Sequence, residues 1–181
     1  ARGFQVYYQG WLPEGEVKAA LMIVHGLAEH SGRYMNVVNR FVPLGYAVYG
    51  LDHLGHGESQ GRRLYIDNFT DYLHPITSCG KVIRGRHPDS PRFLIGHSMG
   101  GLITILYLSL CPGDFAGAVL SAPTVTMPAA ATPAVVFLGR MLSVLAPTAG
   151  MVAIDASGVS RDPEVVKAYC DDPLVSRGKV T

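Results

Sequence analysis

The sequence predicts an α/β fold, a mostly parallel sheet flanked by helices, from three observations. Four short apolar runs, "KAALMIVHG", "YAVYGLD", "PRFLIG" and "FAGAVLSAP", recur through residues 1–123. Segments with helical spacing separate them, so strand and helix alternate along the chain. Each run is mainly continuous instead of alternating with polar residues, which suits strands covered on both faces.

Taken in order, "FQVYYQGW" near the start alternates in part and reads as a strand. "KAALMIVHG" is the first core strand, ended by His25 and Gly26. Tyr34, Val37, Val38 and Phe41 then fall three or four apart, the period of a helix face. "YAVYGLD" is the second core strand and runs into the glycine-rich turn "DHLGHGES". From Asn68 to His87 the pattern is helical, with Pro75 and Gly80 expected to interrupt it. "PRFLIG" is the third core strand, "MGGLITILYLSL" a strongly apolar helix and "FAGAVLSAP" the fourth core strand. Residues 1–123 are therefore expected to form the N-terminal part of one α/β core. After Pro123 the rhythm breaks. Ala134 to Leu145 is helical, with Val135, Leu138, Leu142 and Leu145 on one side, and two readings are open for it: a packed surface helix of the same domain, or the start of a cap over the strand ends. A short helix near Pro163 to Tyr169 follows, with no further strand.

Composition narrows the function classes. A chain of 181 residues can build one hydrophobic core. Its 48% apolar and 16% charged residues exclude a disordered chain. Fifteen Lys and Arg against fourteen Asp and Glu leave a net charge of +1, which offers no general field for nucleic acid or an anionic membrane. The basic run "KVIRGRH" reads as a solvated helix face. Cys79, Cys111 and Cys170 form no CxxC pair and are odd in number, so neither a disulfide framework nor a zinc site is expected. They fit a reducing, cytoplasmic compartment. The start lacks the pattern of a signal peptide. The uncharged run from Phe115 to Gly139 is long enough to span a bilayer, but Pro123, Pro128 and Pro133 interrupt it, and it reads as strand and loop.

The chemistry centres on "FLIGHSMGGL". A G-x-S-x-G match alone is weak; its context here is strong, since "RFLI" supplies a strand, Gly96 to Gly100 a sharp turn and "GLITILYLSL" a helix. Such a turn pushes the Ser98 hydroxyl out of the sheet and aims the following backbone amides at a developing oxyanion. The competing reading is a structural turn whose serine merely caps the helix. A second cluster, "HGLAEHSGRY", lets Gly26 turn the amide of Leu27 toward the same oxyanion, while His25 itself reads as a hydrogen-bonded turn residue. The third, "DHLGHGES", is not a dinucleotide fingerprint, because Gln60 holds its last glycine position. Asp52, His53 and His56 could ligate a metal or tie the turn together.

With these motifs in this order, the sequence resembles the monoacylglycerol lipase branch of the α/β-hydrolase superfamily, also labelled lysophospholipase-like. The shared text is "HGLAEHSGRY", "GYAVYGLDHLGHGES", "FLIGHSMGG", "LSAP" and "SRDPEVVKAYCDDPLV", the last like bacterial members, and it covers about Tyr7 to Val180. The resemblance implies Ser98 as the catalytic nucleophile and the backbone amides of Leu27 and Met99 as the oxyanion hole. It implies that residues 124–181 begin a cap whose apolar helices line an acyl channel and touch a lipid surface. A lipid-like ester substrate, no cofactor, no metal and no nucleic-acid partner follow from the same likeness.

In an α/β-hydrolase the triad runs serine, acid, histidine along the chain. All seven histidines of this sequence precede Ser98. The expectation is therefore a hydrolase truncated before its acid and base, inactive as this chain alone and poorly soluble or oligomeric through an uncovered sheet edge. Lysophospholipid hydrolysis, another carboxylesterase or acyltransferase reaction, and a non-catalytic lipid- or partner-binding product are the alternatives.

Overall fold

The computed structural model describes residues 3–126, 132–146, 148 and 155–178. One five-stranded sheet runs in the order β1-β3-β2-β4-β5. Strand β2 (Ala19–Val24) lies at its centre, parallel to β3 (Tyr46–Leu51) and to β4 (Arg92–His97). Strand β5 (Gly117–Ser121) pairs with β4 in parallel, and β1 (Tyr8–Trp11) joins β3 antiparallel. The register sets Val24 opposite both Leu51 and Gly96, and His97 opposite Ser121. The turns carrying His25, Asp52, Ser98 and Ala122 therefore meet at one end of the sheet, the carboxyl end where open α/β sheets hold their ligands.

Alternation along the buried strands builds two cores. Ala20, Met22 and Val24 point to the face where Tyr49, Ile76, Cys79, Ile83, Leu94, Ile103 and Tyr107 pack. That side is covered by α2 (Leu73–Arg86) and α3 (Met99–Leu110). Leu21, Ile23 and Val48 point the other way, onto Val38 of α1 (Met35–Phe41) and the partly buried Phe41, Phe93 and Ile95. The mostly parallel sheet with helices on both faces is the architecture expected from the strand and helix rhythm.

Two expectations need correction. The segment around Pro75 and Gly80 is one continuous helix, α2. Pro75 sits in its first turn, where a missing N–H breaks no intrahelical bond, and Gly80 lies within the helix facing the ring of Phe115, its cost to helix propensity outweighed by the packing of α2 on the sheet. Strand β5 is no core strand: Val119 is 63% and Leu120 39% exposed, because among the described residues nothing pairs with its outer edge. Helix α4 (Pro133–Leu145), which the sequence leaves open to two readings, has no buried residue.

A last helix, α5 (Pro163–Asp171), starts at Asp162, whose carboxylate accepts the Glu164 N–H at 2.9 Å. The expected cap segment includes residues 127–131, 147, 149–154 and 179–181, which lie outside the described residues. Among those described, no helix is long and apolar enough to cross a membrane, and all three cysteines are free thiols.

Candidate active site

Ser98 sits between β4 and α3 with φ 51° and ψ −117°. A serine in that region is strained, and such strain persists only where the surroundings over-determine it. Here the backbone is held on three sides: Ser98 N–H donates to Ser121 O at 3.0 Å, and Gly101 N–H and Thr124 N–H donate to Ser98 O at 3.0 and 3.2 Å. The glycine spacing of the motif has a steric cause. A Cβ on Gly100 would collide with the carbonyl oxygens of Val24 and His25, so only glycine lets α3 start this close to β2. The serine makes no side-chain cap bond to α3, which removes the capping explanation. Half-buried, its Oγ faces Thr124 Oγ1 at 3.5 Å.

The loop after β2 borders the same serine. A Cβ on Gly26 would lie 3.3 Å from Ser98 Cβ, so the loop carrying Leu27 passes directly beside the Ser98 side chain. Glu29 organises that loop from within. Its Oε1 accepts the Gly26 N–H at 2.6 Å and the Tyr34 hydroxyl at 2.7 Å. Arg33 stands 3.5 Å from its Oε2. Burial, and then the Glu29 charge, push the Tyr34 phenol well above its ordinary range, so it stays protonated as donor.

Helix α5 grips the loop from outside, which the sequence did not disclose because the partners lie far apart along the chain. His30 Nε2–H donates to Asp172 at 2.8 Å, its Nδ1 being occupied by the Gly32 N–H. Burial raises the Asp172 carboxyl, yet the bonds from His30 and the Leu174 N–H outweigh it and hold the group below the usual carboxylate range. Ser176 N–H reaches Ala28 O at 2.9 Å, the Arg33 guanidinium lies 4.7 Å over the Tyr169 ring, and Tyr169 and Val175 are buried. Ala28 itself takes φ 65°, a strained turn fixed by this contact.

The "DHLGHGES" cluster ties a turn. Asp52 accepts from Ser31 N–H and Oγ–H at 2.8 and 2.6 Å and from Glu58 N–H at 2.9 Å. His25 donates from Nδ1 to Gly26 O and accepts the His53 N–H, while His53 Nε2 donates to His25 O and His56 Nδ1 to Leu54 O. Burial, followed for His25 and His53 by repulsion from a neighbouring histidine, depresses all three imidazoles, so they are neutral. Among the described residues, no group of three or more His, Cys, Asp or Glu is arranged to hold a metal ion. His97, beside Ser98 in sequence, turns away to Ser121 O at 3.2 Å, and His87 binds the Tyr49 hydroxyl at 2.8 Å.

Comparison with known proteins agrees with this geometry. The family model for serine aminopeptidase S33 (Hydrolase_4) matches residues 15–181. A monoacylglycerol lipase of Mycolicibacterium smegmatis is 39% identical over 98% of this chain and 64% of its own length. The human monoglyceride lipase is 36% identical over 98% of this chain and 59% of its own. The crystal structure of a Paleococcus ferrophilus monoacylglycerol lipase superposes with a TM-score of 0.81 at 31% identity, covering 96% of this chain and 65% of that one. The chain thus spans about three fifths of the length of these curated relatives. With its parallel sheet, its strained serine turn and a family match across nearly its whole length, this chain belongs to the serine aminopeptidase S33 family of α/β-hydrolases.

Proposed function

We propose that the complete protein containing this chain hydrolyses carboxylic esters of monoacylglycerol type through an acyl-enzyme on Ser98. The observation that carries the reading is the strained Ser98 turn, whose hydroxyl is spent on no helix cap and is bordered by the Gly26 loop. The printed activities of the lipase relatives support the substrate class.

In this mechanism a histidine base takes the Ser98 proton as Oγ attacks the ester carbonyl, and the oxyanion is held by the backbone amides of Leu27 and Met99. The carbonyl re-forms, the C–O bond to glycerol breaks, and glycerol leaves with the proton. Water then attacks the acyl carbon, the base accepts its proton, and Oγ regains a proton as the fatty acid departs. We assign base and acid to residues that follow Thr181 in the complete protein. The sequence has no histidine after Ser98; His25, His30, His53, His56, His87 and His97 are engaged elsewhere, and His74 is exposed on α2.

Residues 1–123 are then the N-terminal part of the catalytic core and 124–181 the start of its cap. Phe137, Val144 and Leu145 of α4 are 64%, 79% and 74% exposed, which supports an apolar cap face that meets acyl chains and touches a lipid surface. The test is hydrolysis of a medium-chain monoacylglycerol by the complete protein beside its Ser98→Ala variant. Turnover is expected to fall by about 10⁴-fold or more, and unchanged turnover would reject the reading. The 181-residue chain alone is expected to give no Ser98-dependent turnover.

A further inference from the structure

Two strained turns stand side by side at the carboxyl end of the sheet. Ser98 follows β4 with φ 51°, and Ala122 follows β5 with φ 44°. Their backbones are bonded to each other, Ser98 N–H to Ser121 O at 3.0 Å and Thr124 N–H to Ser98 O at 3.2 Å. Between them Pro123 rests on α3, where a Cβ on Gly101 would come within 2.7 Å of Pro123 Cβ. The turn after β5 is thereby pressed onto the nucleophile turn, and Thr124 is the residue it presents. The Thr124 hydroxyl lies 3.5 Å from Ser98 Oγ. That gap is longer than a formed O–H···O bond, and catalytic hydrogen bonds are often long until substrate arrives.

We propose that the Thr124 hydroxyl is a second catalytic hydroxyl, which donates a hydrogen bond to Ser98 Oγ while that oxygen carries developing negative charge. This inference rests on the reading of Ser98 as nucleophile. In acylation the Oγ–H bond breaks toward the base while the bond from Oγ to the acyl carbon forms. In deacylation water adds to that carbon, the bond from carbon to Oγ breaks, and its electron pair returns to Oγ. Oγ passes through a partly anionic state both times, and a donor oriented beforehand stabilises it. Thr124 keeps its own proton throughout.

The test uses the complete protein with Thr124→Val, which removes the hydroxyl and keeps the shape, and Thr124→Ser, which retains it. Thr124 is exposed, so neither change burdens the fold. Three quantities are read: the rate at which a fluorophosphonate modifies Ser98, kcat and KM on a soluble short-chain ester. For Thr124→Val both rates are expected to fall about five- to tenfold, the worth of one hydrogen bond, with KM within about twofold; Thr124→Ser stays within about twofold throughout. Unaltered rates in Thr124→Val would overturn the proposal. Equal losses in both variants would overturn it too, since packing and not the hydroxyl would then be responsible, as would a change confined to KM. Ser98→Ala is run alongside: full ester turnover without Ser98 would defeat the nucleophile reading itself, a failure separate from that of Thr124.

Discussion

Strands β2 and β5 are written in nearly the same alphabet, AALMIV against GAVLS. Every residue of β2 is buried, whereas Ala118 to Ser121 of β5 are exposed. The contrast comes from neighbours and not from residue type. β2 lies between β3 and β4 with helices on both faces; β5 has β4 on one side and, among the described residues, no strand on the other. Ser98 sits on the seam between these regions. Its β2 side is walled by carbonyl oxygens and the glycines that fit against them, while its β5 side is an open turn. The strained backbone of Ser98 is held from both sides, by the close fit of Gly100 against the β2 carbonyls and by hydrogen bonds to Ser121 O and from Thr124 N–H in the turn after β5.

Gly100→Ala strikes the dense side hardest. Its methyl group would strike the Val24 and His25 carbonyls, and we expect a cost above about 4 kcal/mol in urea unfolding, since backbone cannot yield as a side chain does. A mild effect would mean the seam is loose. Met22→Ala, at a fully buried position in β2, is expected to cost about 3 kcal/mol.

Acid probes the same dense end through His25, His53 and His56. Burial holds their folded-state pKa values below the ordinary imidazole value of about 6.5, so the unfolded chain takes up protons first. Their contribution to stability is complete above about pH 6.5 and is lost as the pH falls below it, at up to about 1.4 kcal/mol per pH unit for each histidine. Urea midpoints that do not move between pH 8 and pH 5 would contradict this. Asp172→Ala, which releases the α5 grip on His30, is expected to cost about 1–2 kcal/mol, and an unchanged midpoint would show that the contact contributes nothing. The smallest effect belongs to the open side: Val119→Ala in the 181-residue chain should stay within about 0.5 kcal/mol. A larger cost in the complete protein would show that further residues cover β5 there.

Much of this arrangement was legible in the sequence, and for physical reasons. The run Ala19–Val24 could only be satisfied by cover on both faces. The elbow at Ser98 was readable because glycine at Gly96 and Gly100 answers a local steric demand, and local demands are written locally. Three features were not legible. The exposure of β5 depends on what lies beside it, which its own residues do not record. Pro75 looked like a break because its tolerance depends on where the helix begins. The bonds from His30 to Asp172 and from Thr124 N–H to Ser98 O join positions 142 and 26 residues apart, and no periodicity links such partners.

An acyl group carried on Ser98 is an intermediate that can be trapped. The complete protein would be quenched during turnover of a slowly deacylated 4-nitrophenyl ester and mapped by peptide mass spectrometry. The account predicts one acyl adduct, on the peptide containing Ser98, absent from Ser98→Ala together with turnover. An adduct on another residue, or turnover that persists in Ser98→Ala, would contradict it.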